Sequence, residues 1–175
     1  IFDPAAYSNT AFSLAELVES GSVLGPRVFS SGASVLSNKN NWGHVQIDSL
    51  ADAVKVVQQL KQSGAIMIKS YTQPLRDQKQ WLIEAAKFYD IGVTLESSYD
   101  QMNYYTGMLD GHNAIEHNPL YMPIYKDVIN YYAKTGVQIT TTFGIFNIGS
   151  VFFDNERYKP DDKLTRFISS KRLKK

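Results

Sequence analysis

The chain contains no cysteine, which removes disulfides, thiol nucleophiles and Cys-ligated zinc from consideration at once. No apolar run approaches the ~18 residues that a membrane span needs, and no leader peptide is recognisable. Charge of one sign is equally lacking. With 18 Lys and Arg against 17 Asp and Glu the formal net charge is +1, so nothing global calls for nucleic acid. The single cationic run, Lys171-Arg172-Leu173-Lys174-Lys175, reads as a solvated tail. Gly-x-Gly-x-x-Gly and Gly-x-x-x-x-Gly-Lys-Ser/Thr phosphate loops are missing, as is a Gly-x-Ser-x-Gly elbow, so neither a nucleotide cradle nor serine acyl transfer is supported.

What is present is ordinary globular composition, and 175 residues suffice for one packed core. They fall short of the roughly 250 that a whole TIM barrel takes. Ile1-Phe2 reads as a strand stub stopped by Asp3-Pro4. The missing initiator Met leads to the expectation of a fragment of a longer protein.

A capping box at Ser13-x-x-Glu16 predicts a helix start, with Leu14, Leu17 and Val18 on one face and Gly21 at the end. Gly25 to Gly32 is punctuated as a short strand entering a loop, and Ala33 to Asp48 as a Ser/Asn-rich excursion. Ser49 caps a second helix in which Leu50, Ala53, Val54, Val57 and Leu60 follow the 3.6-residue period. Ala65-Ile66-Met67-Ile68 is apolar throughout, the pattern of a strand covered on both faces.

A third helix, roughly Arg76 to Tyr89, directs Trp81, Ala85 and Phe88 inward, and the strand Val93-Thr94-Leu95-Glu96 follows. Next come a weaker helix from Tyr99 to Leu109 and a strand ending on Glu116-His117. A helix carrying Tyr125, Val128, Ile129 and Tyr132 leads into the β-branched strand Val137 to Thr142. Helix, glycine, short apolar strand and polar tip recur in that order, which predicts βα units and a parallel sheet. The expectation is a single α/β domain over 1–175, with βα units in 1–142 and mostly loop and tail in 143–175.

Three strand tips carry residues able to do chemistry: Lys69, Glu96 and His117. They are spaced by about one βα unit each, so their side chains emerge on one rim of the sheet. Such convergence from separate rigid elements is what a metal site needs. Each also has a plain structural reading: a lysine leaving the core, a capping carboxylate, a hydrogen-bonded histidine. Candidates for substrate contact are His44 beside Trp42 in the long loop, Tyr71 just past Lys69, and His112, the last being the nearest to a purely structural role.

With these residues in hand, the chain resembles the metal-dependent amidohydrolase superfamily. The likeness is to the imidazolonepropionase-like group, and most of all to the amidohydrolase domain that follows a Tol-type β-propeller in large bacterial proteins. It is carried by Gly25-Pro26-Arg27-Val28, Ile68-Lys69-Ser70-Tyr71, Thr94-Leu95-Glu96, Asp110-Gly111-His112 running into Ile115-Glu116-His117-Asn118, and Tyr125-Lys126-Asp127-Val128. The resemblance implies a partial (β/α)8 TIM-type barrel, about strands two to seven. It also implies one or two divalent metals, zinc among them, which activate water to hydrolyse amide or cyclic-amide C–N bonds of a small-molecule substrate.

By the same resemblance Lys69 stands at the position of a carboxylated, metal-bridging lysine, and His117 at that of a ligand histidine. Glu96 stands where most members have a ligand histidine. The family's His-x-His pair and its last-strand aspartate have no counterpart here. The chain alone is therefore expected to be inactive, to bind no metal tightly, and to offer open sheet edges to a second copy. The compartment implied is the periplasm. The alternative is a non-catalytic, doubly wound α/β binding domain, which would reverse its strand order at a switch point.

Overall fold

The computed structural model describes residues 1–6, 8–36, 45–97, 100–117 and 124–142, together with Arg166. The chain divides into two compact units, Ile1–Thr141 and Thr142–Lys175. All elements named below belong to the first. The loop and tail expected over 143–175 lie outside the described residues apart from Arg166.

Among the described residues of the first unit, six strands and five helices alternate: β1 (Phe2–Asp3), α1 (Thr10–Glu19), β2 (Phe29–Ser30), α2 (Leu50–Gln62), β3 (Met67–Ser70), α3 (Arg76–Phe88), β4 (Gly92–Glu96), α4 (Gln101–Asp110), β5 (Ala114–Glu116), α5 (Lys126–Thr135) and β6 (Gln138–Thr140). β1 pairs with β2, and β3-β4-β5-β6 form a sheet in sequential order, every pairing parallel. The Ile66 amide donating to Ser30 O at 3.2 Å and the Val35–Ser70 bridge link the two sets. No reversal of order occurs among the described strands, so the topology is that of part of a (β/α) barrel and not of a doubly wound sheet.

Alternation along each strand separates two environments. Ile68 and Val93 join Val57, Leu60, Leu82 and Ala86 in a core under α2 and α3, while Leu95 and Ile115 pack with Tyr104 and Met108 of α4. Intervening residues of the same strands therefore face the barrel interior. Ser49 caps α2 as expected, its Oγ accepting from the Asp52 amide at 3.1 Å.

Local details depart from the sequence reading. α1 begins at Thr10, so Ser13 lies inside it and the capping box is not used. Phe12 packs on the main core and draws the helix back by a turn, leaving Leu14 and Leu17 exposed. β3 starts two residues later than the apolar run suggests. The Ala65 amide is still bonded to Leu60 O at the end of α2, and Ile66 is exposed. In α3 the inward face is Leu82, Ile83, Ala85 and Ala86, with Trp81 partly buried and Phe88 exposed. Apolar side chains are left in solvent at both ends of the strand row, Phe2, Phe29 and Leu24 at one and Ile129 and Ile139 at the other.

Gly107 shows how closely α4 approaches the sheet. A Cβ there would overlap Cδ2 of Leu95, which is fully buried and cannot swing away. Alanine gains about 1 kcal/mol over glycine in a helix, but overpacking costs typically 1–3 kcal/mol. Gly107→Ala should therefore lower the urea midpoint, and combined with Leu95→Ala it should cost less than the sum of the two single losses, since the smaller side chain relieves the overlap. A Gly107→Ala variant as stable as the parent would refute the close packing.

Candidate functional site

The interior-facing residues at the carboxyl ends of β3, β4 and β5 meet in one place. Lys69 is the third residue of β3, Glu96 the last of β4, and His117 directly follows β5. Lys69 pairs in register with Thr94, and Glu96 with Glu116. Strand stagger then sets Lys69 Nζ 2.6 Å from Glu96 Oε2, and His117 Nε2 lies 3.0 Å from Glu96 Oε1. Glu96 thus clamps the other two, one on each oxygen.

The Lys69 side chain is 1% exposed. Burial pulls its pKa below the usual lysine value, while the Glu96 charge and hydrogen bond, and the more distant Glu116, oppose that pull. Its ammonium lies 5.9 Å from the centroid of the Tyr71 ring.

His117 owes its position to an unusual backbone. Its φ is +72°, a left-handed conformation rare outside glycine. Strict alternation after Glu116 would turn the side chain outward. The left-handed turn instead brings the imidazole back over Glu96. The His117 amide donates to Thr140 O at 2.8 Å and the Tyr104 hydroxyl donates to His117 O at 3.3 Å, which hold the turn.

A cavity of about 150 Å³ opens at this point, lined by Lys69, Tyr71, Glu96, Glu116 and His117 with Pro4, Ala5 and Ser34. The structure thus gathers Lys69, Glu96, His117 and Tyr71. His112 is elsewhere, at the foot of β5 on the opposite rim, buried, with Nδ1 2.7 Å from Gly107 O. That places it in the packing of α4 and away from this cavity. His44 lies outside the described residues. Glu116, treated in the sequence only as a neighbour of His117, is 3% exposed and accepts from Thr94 Oγ1 at 2.7 Å. Period-two alternation held the signal: if Ile115 faces the helices, Glu116 must face the interior.

At the level of sequence, no family model and no curated protein matches the chain. Solved structures do. A Xaa-Pro dipeptidase with methionine bound in its active site superposes with a TM-score of 0.69 at 16% identity, over 91% of this chain and 46% of the other. Ochratoxinase of A. niger gives 0.68 at 16% identity, over 89% and 44%. The likeness is one of fold, part of a parallel (β/α) barrel. Bottromycin amidohydrolase matches too, at a TM-score of 0.59 and 14% identity over 94% of this chain and 40% of its own. The chain therefore spans less than half the length of these three structures.

The cavity lies on the rim where barrels of this architecture carry their chemistry. The donor types suit a divalent metal, since a carboxylate and an imidazole are presented side by side from rigid strand ends. Their number does not complete a site. No group of three His, Cys, Asp or Glu is placed to hold a metal among the described residues, and Lys69 enters as an ammonium, which donates and cannot ligate. No helix among them is long and apolar enough to cross a membrane.

Proposed function

We propose that the chain is the central part of a metal-dependent amidohydrolase that cleaves a C–N bond, amide or cyclic amide, of a small molecule. The observation that supports this most is the convergence of Lys69, Glu96 and His117 on one cavity at the carboxyl ends of adjacent barrel strands. In the whole enzyme Glu96 and His117 would hold a divalent cation, zinc in the first instance, with Lys69 joining them once its nitrogen carries a carboxylate. Such a cation supplies Lewis acidity and lowers the pKa of water toward neutrality.

The chain's own contribution is orientation. Glu96 fixes the positions of both neighbours, and the left-handed turn aims the His117 imidazole at the cavity. Tyr71 and Glu116 complete the wall that a substrate would meet. We assign the whole protein to the periplasm on the resemblance alone.

The test compares this chain with the longer protein that carries it. The longer protein, after dialysis against zinc, should hold metal by elemental analysis and hydrolyse dipeptides, and a chelator or His117→Ala should abolish turnover. The chain alone should do neither. Hydrolysis that survives metal removal, or a longer protein that retains no metal, would overturn the proposal.

A further inference from the structure

Strand alternation points Lys69 and Glu96 at the cavity, but not His117. It enters through a left-handed torsion, φ +72°, which is strained for any residue with a Cβ. Such a torsion persists only where its surroundings over-determine it, so the groups that hold the peptide decide where the imidazole points. Two hydrogen bonds between described residues act on it. The His117 amide donates to Thr140 O at 2.8 Å, and His117 O accepts from the Tyr104 hydroxyl at 3.3 Å.

The two anchors differ in rigidity. Thr140 ends β6, a strand whose 3 residues are all exposed. Tyr104 is 3% exposed and packs with Leu95, Met108 and Ile115, its ring edge-on to Tyr105 at 6.4 Å and to Tyr132 at 5.9 Å. The helix that carries it is fixed too, since at Gly107, one turn further on, α4 lies so close to Leu95 that no Cβ would fit between them. The Tyr104 hydroxyl is thus a rigid donor that reaches from the helix side of the sheet over the tip of β5. Losing it removes a hydrogen bond of the same order as the strain it offsets.

We propose that Tyr104 is a positioning residue of the site: its hydroxyl holds the left-handed peptide at His117 and so keeps the imidazole aimed at the cavity beside Glu96. Tyr104 itself does not line that cavity. The inference rests on the hydrolase reading for what the imidazole is there to do, and adds to it a residue that touches neither cation nor substrate.

Tyr104→Phe keeps the ring and removes only the hydroxyl. Tyr131→Phe is its control, because it removes a hydroxyl of the same aromatic cluster that donates to Tyr105 O at 2.9 Å, away from the turn. A left-handed residue gives an unusually strong NOE between its own amide and α protons. In the isotope-labelled chain His117 should show one in the parent and in Tyr131→Phe, and lose most of it in Tyr104→Phe. In the longer protein Tyr104→Phe should weaken zinc binding, measured by competition with a chelator, roughly tenfold or more. Tyr131→Phe should leave it unchanged even where the two variants lose equally in urea midpoint. Zinc affinity unchanged in Tyr104→Phe, or lowered equally in both variants, overturns the proposal, as does a strong His117 NOE that survives the loss of the Tyr104 hydroxyl. If Tyr104→Phe does not fold, the parent decides: a strong His117 NOE with a slowly exchanging Tyr104 hydroxyl proton upholds the proposal, and the absence of either sinks it. If the longer protein holds no zinc, the hydrolase reading falls, and the NOE on the chain alone still decides what Tyr104 does to His117.

Discussion

Glu96→Ala should destabilise the folded chain by about 3–5 kcal/mol, because it strands a buried lysine without its counter-charge. Lys69 is 1% exposed and Glu96 12% exposed, so little solvent screens the pair. The same change frees His117, which loses the carboxylate beneath it. Replacing both members with apolar side chains of similar size, Lys69→Met with Glu96→Leu, should return much of the loss, since the desolvation of both charges is avoided. Urea midpoints of the parent, single and double variants measure this. A single variant within 1 kcal/mol of the parent would mean that the ammonium finds water or another partner.

Acidification should act through His112, on the other rim. Burial, reinforced by the nearby Lys79, pushes its pKa down to about 4, against the opposing hydrogen bond to Gly107 and the charge of Asp110. The neutral ring donates from Nδ1 to Gly107 O, and Nε2 is buried with no partner among the described residues. The folded pKa is below the ordinary 6.5, so the unfolded chain takes up a proton in that window that the folded chain refuses. Stability is therefore intact above about pH 6.5 and falls as pH drops toward 4, by about 3 kcal/mol at most. His112→Asn retains a donor for Gly107 and cannot titrate, so its midpoint should lose that slope. Parallel pH profiles for variant and parent would show that the ring is protonated in the fold.

The order of elements was legible because burial imposes periods on the sequence. Apolar runs of strand length, each preceded by a helical face and a glycine, place β3, β4 and β5 within a few residues of where they lie. The same periods spaced Lys69, Glu96 and His117 by one βα unit, enough to set them on one rim. Local preference misled where a distant contact outweighed it. Phe12 pulled α1 past the Ser13 capping box, and Ala65 stayed bonded to α2 when its neighbours read as strand. His112 sits only five residues before His117, yet the length of β5 carries the two to opposite rims.

By itself the sequence determined the βα grammar, the parallel sheet and the three residues that bring charge and basicity to the strand ends, because those follow from composition and period. Only the tertiary structure decided that Glu96 holds Lys69 and His117 at once, that Glu116 lines the same cavity, and that His117 faces inward at all. Those outcomes depend on the stagger between parallel strands and on one left-handed backbone torsion, and neither leaves a periodic trace in the residues themselves.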